Sequence, residues 1–216
     1  MPDLQQRRMH MVETHLAGRG ISDLLVLQAF RDVPREAFVT ARLAEFAYAD
    51  TPLPIGDEQT ISQPYIVAVM TAALLAGAAG RKLTRVLEVG TGCGYQTAVL
   101  APFVQHVYSV ERIAPLLQRA RSILASLSVS NVSLRHADGW HGWRSQAPFQ
   151  GIIAAAAPQI VPPELLEQLD DGGRLVIPIG ARGEQMLLRV TRDGDEFKRE
   201  ELLPVSFVPF VEGTET

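Results

Sequence analysis

The sequence contains one cysteine and no apolar stretch long enough to span a bilayer. Cys93 stands alone among 216 residues, which excludes an intramolecular disulfide and any metal site built from several cysteines. The longest apolar run, Ile66–Ala79, is interrupted by Thr71 and Gly77 and is shorter than the roughly 20 residues of a transmembrane helix. The first residues, Met1–Gln6, lack the apolar core of a signal peptide. We therefore expect a soluble, cytoplasmic protein with no membrane partner.

Basic and aromatic residues are also scarce. The chain has 20 Lys and Arg against 24 Asp and Glu, a net charge of −4, and only 6% aromatic residues. Nucleic-acid-binding surfaces typically combine basic patches with interleaved aromatic side chains, so we expect no nucleic-acid partner. We also expect no bound metal, because the five histidines show no metal-ligand spacing: His10, His15, His106, His136 and His141.

The length and the 47% hydrophobic content suit a single α/β domain, which we expect to be a monomer. It divides into a helical N-terminal segment (1–48), a loop and helix (49–80), and an α/β core with a C-terminal hairpin (81–216). In the core, short β-branched runs alternate with helical stretches, which predicts a doubly wound, mostly parallel, Rossmann-like sheet. The predicted strands are 85–89, 107–111, 132–136, 151–155 and 174–179, and the predicted helices are 96–101, 114–127 and 163–169.

The C-terminal part predicts a change of strand direction. Asp193-Gly194 is a strong hairpin-turn signal between the runs 186–191 and 196–203. The run 205–211 is typical of one more strand. We therefore expect the sheet to end in antiparallel strands.

A glycine-rich turn follows the first strand of the core. Glu88-Val89 leads into Gly90-Thr91-Gly92-Cys93-Gly94, and a helix follows. Open parallel sheets bind ligands at the carboxyl ends of their strands, where glycines let a ligand approach the backbone. The spacing is Gly-x-Gly-x-Gly, not the Gly-x-Gly-x-x-Gly of dinucleotide-binding proteins, and Glu88 would repel a pyrophosphate. The turn therefore suits a ligand with a cationic end, although a tight turn without a ligand is the simpler interpretation.

Two further predicted strands end in acidic residues. Glu111 lies about twenty residues beyond the glycine turn, where an acid can accept both ribose hydroxyls of an adenosine. Asp138, followed by Gly139, comes after the third strand and can accept from an adenine amino group. The simpler interpretations are a solvated carboxylate and an Asp-Gly turn. Together, the three strand ends predict a site for an adenosine with a cationic amino-acid tail.

These residues resemble the class I S-adenosylmethionine methyltransferases, and four segments narrow the resemblance to the protein-L-isoaspartate (D-aspartate) O-methyltransferases. The segments are Thr51–Gly56, Gln59–Tyr65, Glu88–Ala101 and Gly172–Gly180, within a similarity that extends from Arg7 to about Phe210. The resemblance implies an enzyme that uses S-adenosylmethionine and releases S-adenosylhomocysteine. Its acceptor would be the free carboxylate of L-isoaspartyl, and also D-aspartyl, residues in damaged proteins and peptides, which starts their repair through a succinimide.

The resemblance also implies roles for individual residues. Ser62, in the family-specific segment Thr60-Ile61-Ser62-Gln63-Pro64, matches the active-site residue, and we expect its hydroxyl to orient the substrate as a hydrogen-bond donor. The local sequence equally allows Ser62 to be a helix N-cap, since proline follows in the first turn. The expected cofactor-binding residues are Ile61, Gln63, Glu88, Gly90, Thr91, Gly92, Gly94, Glu111, Arg112, Asp138 and Gly139.

Three positions depart from the family pattern. Gln150 replaces an acid, Ala155 replaces a threonine near the methyl-transfer site, and Cys93 stands where serine is commoner. Two alternatives stay open: a methyltransferase for another carboxylate or small molecule, and a non-catalytic module that binds isoaspartyl groups or the cofactor. A nicotinamide-dependent oxidoreductase is disfavoured by the glycine spacing and by Glu88.

Overall fold

The computed structural model describes residues 3–78 and 80–216, so Met1, Pro2 and Ala79, the end of the apolar run, lie outside the described residues. The α-helices are α1 (Leu4–His10), α2 (Leu24–Asp32), α3 (Pro64–Leu75), α4 (Tyr95–Leu100), α5 (Ala114–Ser126) and α6 (Pro163–Glu167). The strands are β1 (Leu53–Gly56), β2 (Gln59–Ile61), β3 (Leu83–Val89), β4 (Val104–Glu111), β5 (Val132–His136), β6 (Phe149–Ala154), β7 (Leu169–Ile179), β8 (Gln185–Asp193) and β9 (Glu196–Val205).

Seven strands form one sheet in the order β5-β4-β3-β6-β7-β8-β9. The first five of that order are parallel, and β8 and β9 are antiparallel to their neighbours. Strands β4 and β6 lie on opposite sides of β3, so the strand order reverses there and a crevice is expected at the carboxyl end of β3. The predicted mostly parallel sheet with antiparallel C-terminal strands is confirmed.

Helices cover both faces of this sheet. Successive residues of β3 point to opposite faces, and both Val86 and Leu87 are fully buried. Leu87 packs in one apolar cluster with Ile152 and Leu175, whereas Val86 packs in another with Leu74 of α3. Burial on both faces explains why the central strands are almost continuously apolar.

The N-terminal segment is helical, as predicted, and it packs beside the glycine turn. Asp23 begins α2, since its Oδ1 accepts hydrogen bonds from the backbone N–H groups of Leu25 (2.9 Å) and Val26 (3.2 Å). The ring of Phe30 meets that of Tyr95 edge-on, with centroids 6.1 Å apart. Tyr95 is the first residue of α4, so the N-terminal helices support the helix that follows the glycine turn.

Three local predictions were wrong in detail. The run 205–211 is not a strand: β9 ends at Val205, and the segment then makes an isolated bridge between Pro209 and Ala157. Proline has no backbone N–H with which to continue a ladder. The loop expected at the start of the segment 49–80 instead contains an antiparallel hairpin formed by β1 and β2. The C-terminal hairpin exists, but its turn lies at Gly194-Asp195, because Asp193 still pairs with Glu196.

Candidate functional site

A cavity of about 1030 Å³ opens at the carboxyl ends of the central strands. Its lining includes Gly90 and Gly92 after β3, Glu111 at the end of β4, Gly139 after β5, and Ala155 after β6. Ligand-binding cavities for molecules of nucleoside size or larger typically have volumes of about 300–1,000 Å³. The strand order therefore brings the predicted glycine turn and the predicted acidic strand end together around one space.

A smaller cavity of about 50 Å³ lies between the segment after β2 and the glycine turn. Ile61, Ser62 and Glu88 line it, and Gly90 and Ala155 line both cavities. The two spaces therefore adjoin at Gly90 and Ala155. This arrangement places Ser62 next to the glycine turn, although the two are far apart in the sequence.

Glu88 is fully buried beneath the turn. Its Oε2 accepts hydrogen bonds from the hydroxyls of Thr97 and Ser109, both at 2.5 Å. Burial raises the pKa of Glu88 from its ordinary value of 4.5 to about 7, against the two hydrogen bonds, which lower it. Its Oε1 has no hydrogen-bond partner within the described part of the chain. Glu88 lines the smaller cavity, and a buried carboxylate oxygen without a partner is suited to bind a cation or an N–H donor.

Glu111 joins the glycine turn to the end of β4. Its Oε2 accepts a hydrogen bond from the N–H of Gly92 at 2.7 Å, and its Oε1 accepts one from the N–H of Ile113 at 3.0 Å. Each carboxylate oxygen has a second acceptor site. Because Glu111 also lines the larger cavity, it can still accept from the hydroxyls of a ligand.

Asp138 lies behind the cavity. Its Oδ1 accepts from the N–H of Trp140 at 2.9 Å, which caps a 3₁₀ turn, and its Oδ2 accepts from the N–H of Gly213 at 2.6 Å. The neighbouring Gly139 lines the larger cavity, whereas Asp138 is absent from the lining of both cavities. The structure therefore places the carboxylate on the C-terminal tail and leaves Gly139 facing the ligand space.

The C-terminal segment after β9, residues 206–216, also binds Arg112, which does line the larger cavity. The Nη1 of Arg112 and Oε2 of Glu215 form an ion pair at 3.0 Å. The N–H of Glu215 donates to the carbonyl of Arg112 at 2.7 Å, and its own carbonyl accepts from Ala114 at 3.0 Å. Residues after β9 thus form part of the cavity wall next to β4, and the contacts of Glu215 there were not predicted from the sequence.

Ser62 does not cap α3. The residue at the N-cap is Gln63, which makes no side-chain capping bond, and Pro64 begins the helix. The amide of Gln63 donates to the carbonyl of Asp50 at 3.0 Å. Ser62 is half-buried, and its hydroxyl makes no hydrogen bond with any residue that the structure describes. The capping interpretation is wrong, and the hydroxyl is available to a ligand.

Gly94 and Thr91, two other predicted cofactor-binding residues, contact other parts of the protein. A Cβ added at Gly94, where φ is +90°, would lie 3.3 Å from the side chain of Leu124, so this glycine permits α5 to pack closely. Gly94 and Gln63 line neither cavity. The hydroxyl of Thr91 lies 2.6 Å from that of Ser109, and Thr91 lines the smaller cavity.

Arg119 of α5 is a further residue that sequence reasoning missed. Its Nη1 donates to the carbonyl of Ile55 at 2.7 Å, and its Nη2 lies 3.4 Å from Oδ2 of Asp57. Both partners belong to the β1–β2 hairpin, which lines the larger cavity and leads into Ser62. On sequence alone, an arginine on α5 looks like an ordinary solvated residue.

Within residues 3–78 and 80–216, the acidic, histidine and cysteine side chains form no cluster of three or more that could hold a metal ion. None of the helices in those ranges has both the length and the apolar character needed to cross a membrane.

The parallel sheet, the glycine turn and the acidic end of β4 define the Rossmann-like fold of the class I methyltransferases. The family model described as Protein-L-isoaspartate(D-aspartate) O-methyltransferase (PCMT) matches residues 6–215, and the chain belongs to this family.

Relatives agree with this assignment, and a solved structure shares the fold. A protein-L-isoaspartate O-methyltransferase from Halorhodospira halophila is 54% identical over 209 residues, which cover 97% of this chain and 93% of the relative. A protein-L-isoaspartate O-methyltransferase from Methylorubrum extorquens is 53% identical over 217 aligned positions, which cover 100% of this chain and 93% of the relative. A Plasmodium falciparum chain solved in complex with S-adenosyl-L-homocysteine has the same fold, with a TM-score of 0.81 at 24% identity, covering 94% and 98%.

Proposed function

We propose that this protein transfers a methyl group from S-adenosylmethionine to the free carboxylate of L-isoaspartyl residues in damaged proteins and peptides. The observation that carries the proposal is the position of the free Ser62 hydroxyl. It shares a small cavity with Glu88 and the glycine turn. Membership of the family over residues 6–215 supports the isoaspartyl acceptor, and D-aspartyl residues are expected as a second acceptor.

The residues around the two cavities fit the cofactor. The unpartnered Oε1 of Glu88 can accept from the ammonium group of its amino-acid tail, and Glu111 can accept from its ribose hydroxyls. Gly90 and Gly92 line the larger cavity and have no side chain, so the cofactor can approach their backbone. When bound, S-adenosylmethionine supplies a methyl group on a sulfonium, and the sulfur keeps the bonding electron pair when an acceptor oxygen takes the methyl.

The acceptor needs no general base. A carboxylic acid with a pKa near 4 is already ionised at neutral pH, so its oxygen is ready to attack. Ser62 donates a hydrogen bond to this carboxylate and orients it toward the methyl group. Such positioning can supply several kcal/mol of the rate enhancement.

The product accounts for repair without a further enzyme. The next backbone amide nitrogen of the peptide attacks the methyl ester and expels methanol, which forms a succinimide. Water then opens the ring at either carbonyl and returns part of the material to normal aspartate.

We also propose that the protein works as a monomer in the cytoplasm with neither nucleic acid nor membrane as a partner. Its net charge of −4 supports the absence of nucleic-acid and anionic-membrane partners.

Methyl-labelled S-adenosylmethionine and three matched peptides, containing L-isoaspartate, D-aspartate or L-aspartate, test the proposal. We expect base-labile label on the isoaspartyl peptide and, as the second acceptor, on the D-aspartyl peptide, and none on the L-aspartyl peptide. Ser62→Ala should reduce the rate by about tenfold or more, whereas Ser130→Ala, which removes an exposed hydroxyl outside both cavities, should not. No label on any peptide, despite measurable binding of S-adenosylhomocysteine, would reject this acceptor.

A further inference from the structure

Arg182 is an exposed cation on the wall of the larger cavity. It lies in the loop between β7 and β8. Its guanidinium makes no hydrogen bond or ion pair with the residues that the structure describes. Arg112, the other arginine in the cavity lining, is already paired with Glu215 at 3.0 Å. An unpaired cation in a ligand cavity is suited to an anionic group on the ligand.

The strand order places Arg182 at the acceptor end of the cavity. Strands β4 and β5, which lead to Glu111 and Gly139, lie on one side of β3, and β6 and β7 lie on the other. The proposed adenosine contacts are therefore on the β4 side. Arg182 follows β7, beyond Ala155 and Ala156, on the side that is left for the peptide.

The base of this loop is held in place. The N–H of Gly180 donates to the carbonyl of Pro158 at 3.0 Å, which ties the loop to the segment after β6. The buried amide of Gln185 accepts from the N–H of Phe207 at 2.5 Å and donates to its carbonyl at 3.2 Å. These bonds keep Arg182 next to the segment 206–208, which lines the same cavity.

Acidic groups in the cavity lining do not neutralise Arg182. Asp57 and Glu58 lie at the turn of the β1–β2 hairpin, which Arg119 binds to α5 on the β4 side. The carboxylate of Glu111 already accepts two backbone N–H groups. Glu215, the remaining acidic residue of the lining, is paired with Arg112. None of these carboxylates forms an ion pair with Arg182, so within the described residues its charge is open to the bound peptide.

We propose that Arg182 binds a second carboxylate of the acceptor peptide, carried by an acidic side chain near the isoaspartyl residue. Arg182 is then a specificity-determining residue that favours acidic over neutral flanking sequences. This inference rests on the proposed function. An exposed ion pair of this kind should raise kcat/KM by about 2- to 5-fold, and salt should weaken the preference.

Isoaspartyl peptides with amidated C-termini test the inference. Each carries one glutamate at one of the two positions on either side of the isoaspartyl residue, and a matched peptide carries glutamine there. We expect the wild-type protein to prefer glutamate by about 2- to 5-fold in kcat/KM at its best position in low salt. Arg182→Gln should bring the ratio near one, and Arg182→Glu should invert it. Arg81→Glu makes the same charge change at an exposed residue before β3, at the amino ends of the parallel strands and so away from the cavity. This variant should keep the wild-type ratio.

The outcomes separate this inference from the proposed function. A glutamate-to-glutamine ratio near one in the wild-type protein at every position overturns the role of Arg182, as does an unchanged preference in Arg182→Glu. In both cases, methylation of the peptides leaves the isoaspartyl acceptor intact. If the wild-type protein methylates none of the peptides, the proposed function fails first, and the inference fails with it.

Discussion

The backbone N–H of Gly92 donates a hydrogen bond of 2.7 Å to Oε2 of Glu111. This bond ties the turn after β3 to the end of β4, although the two residues are 19 positions apart. Below the turn, Glu88 is held by Thr97 and Ser109. The groups assigned to the cofactor are therefore fixed by the protein itself, which reduces the ordering that binding must impose.

Binding of S-adenosylhomocysteine should depend on the protonation of Glu88. Burial raises the pKa of Glu88 to about 7, so the carboxyl group is mostly protonated below that pH. If the ionised form accepts the ligand's ammonium group, the Kd should rise as the pH falls below 7, approaching about tenfold per pH unit. Glu88→Gln should remove this dependence and bind more weakly at pH 8. Calorimetric titrations on both sides of pH 7 measure it, and a flat wild-type profile would contradict this role.

The same group should affect the stability of the ligand-free protein. The pKa of Glu88 is raised in the folded state, so between pH 4.5 and about 7 the folded chain binds more protons than the unfolded chain. Its contribution to the free energy of unfolding therefore decreases as the pH rises through this window. The free energy of unfolding of Glu88→Gln minus that of the wild type should be higher at pH 8 than at pH 5, by about 1–3 kcal/mol. Urea denaturation at the two pH values measures this difference, and an equal effect at both would be inconsistent with the shift.

Gly90→Ala should block the cofactor as well as strain the turn. The φ of Gly90 is +91°, and an added Cβ would lie 3.4 Å from the Cβ of Ala155, where the two cavities adjoin. We expect a loss of about 1–2 kcal/mol of stability and a Kd for S-adenosylhomocysteine at least about tenfold higher. Gly172→Ala is the matched control, since its φ is +71° and an added Cβ has no heavy atom within 4 Å. If both variants raised the Kd equally, backbone strain alone would explain the effect, and steric blocking of the cofactor at Gly90 would be rejected.

Arg119 should influence the substrate through the β1–β2 hairpin. Removing its bonds to Ile55 and Asp57 frees the hairpin from α5, so Arg119→Ala should raise the KM for an isoaspartyl peptide by about 3- to 10-fold. The melting temperature should change little, because the side chain is 43% exposed. Arg119→Lys should recover part of the loss, and Arg121→Ala, on the same helix, should leave the KM unchanged. An unchanged KM in Arg119→Ala would reject the positioning role.

The central sheet and part of the site could be predicted because their signals are local. The alternation of β-branched runs and helices predicts parallel strands, and the topology of such sheets places Glu111 beside the glycine turn. Glu88 could be identified from its place in the motif, but not its buried contacts with Thr97 and Ser109, which depend on the packing of α4 and β4.

Contacts between residues that lie far apart along the chain could not be predicted from the sequence. Arg119 and Ile55 are 64 positions apart, and Asp138 and Gly213 are 75 apart. No local periodicity records such pairs. The predicted cap of α3 was wrong for a related reason. A serine two residues before a proline is typical of a capping hydroxyl, but the hairpin that precedes α3 places Ser62 against the glycine turn instead.

Methyl transfer to an isoaspartyl carboxylate can be followed through the fate of the acceptor peptide. The isoaspartyl peptide is incubated with the protein and S-adenosylmethionine, and its forms are separated by chromatography over time. The methyl ester and the succinimide are identified by mass, and the aspartyl peptide, which is an isomer of the substrate, is identified by its retention time against a synthetic standard. We expect a methyl ester to appear first, followed by the succinimide and then by the aspartyl peptide. One S-adenosylhomocysteine should form for each ester made. An isoaspartyl peptide that keeps both its retention time and its mass, in the presence of protein that binds S-adenosylhomocysteine, would contradict methyl transfer to this acceptor.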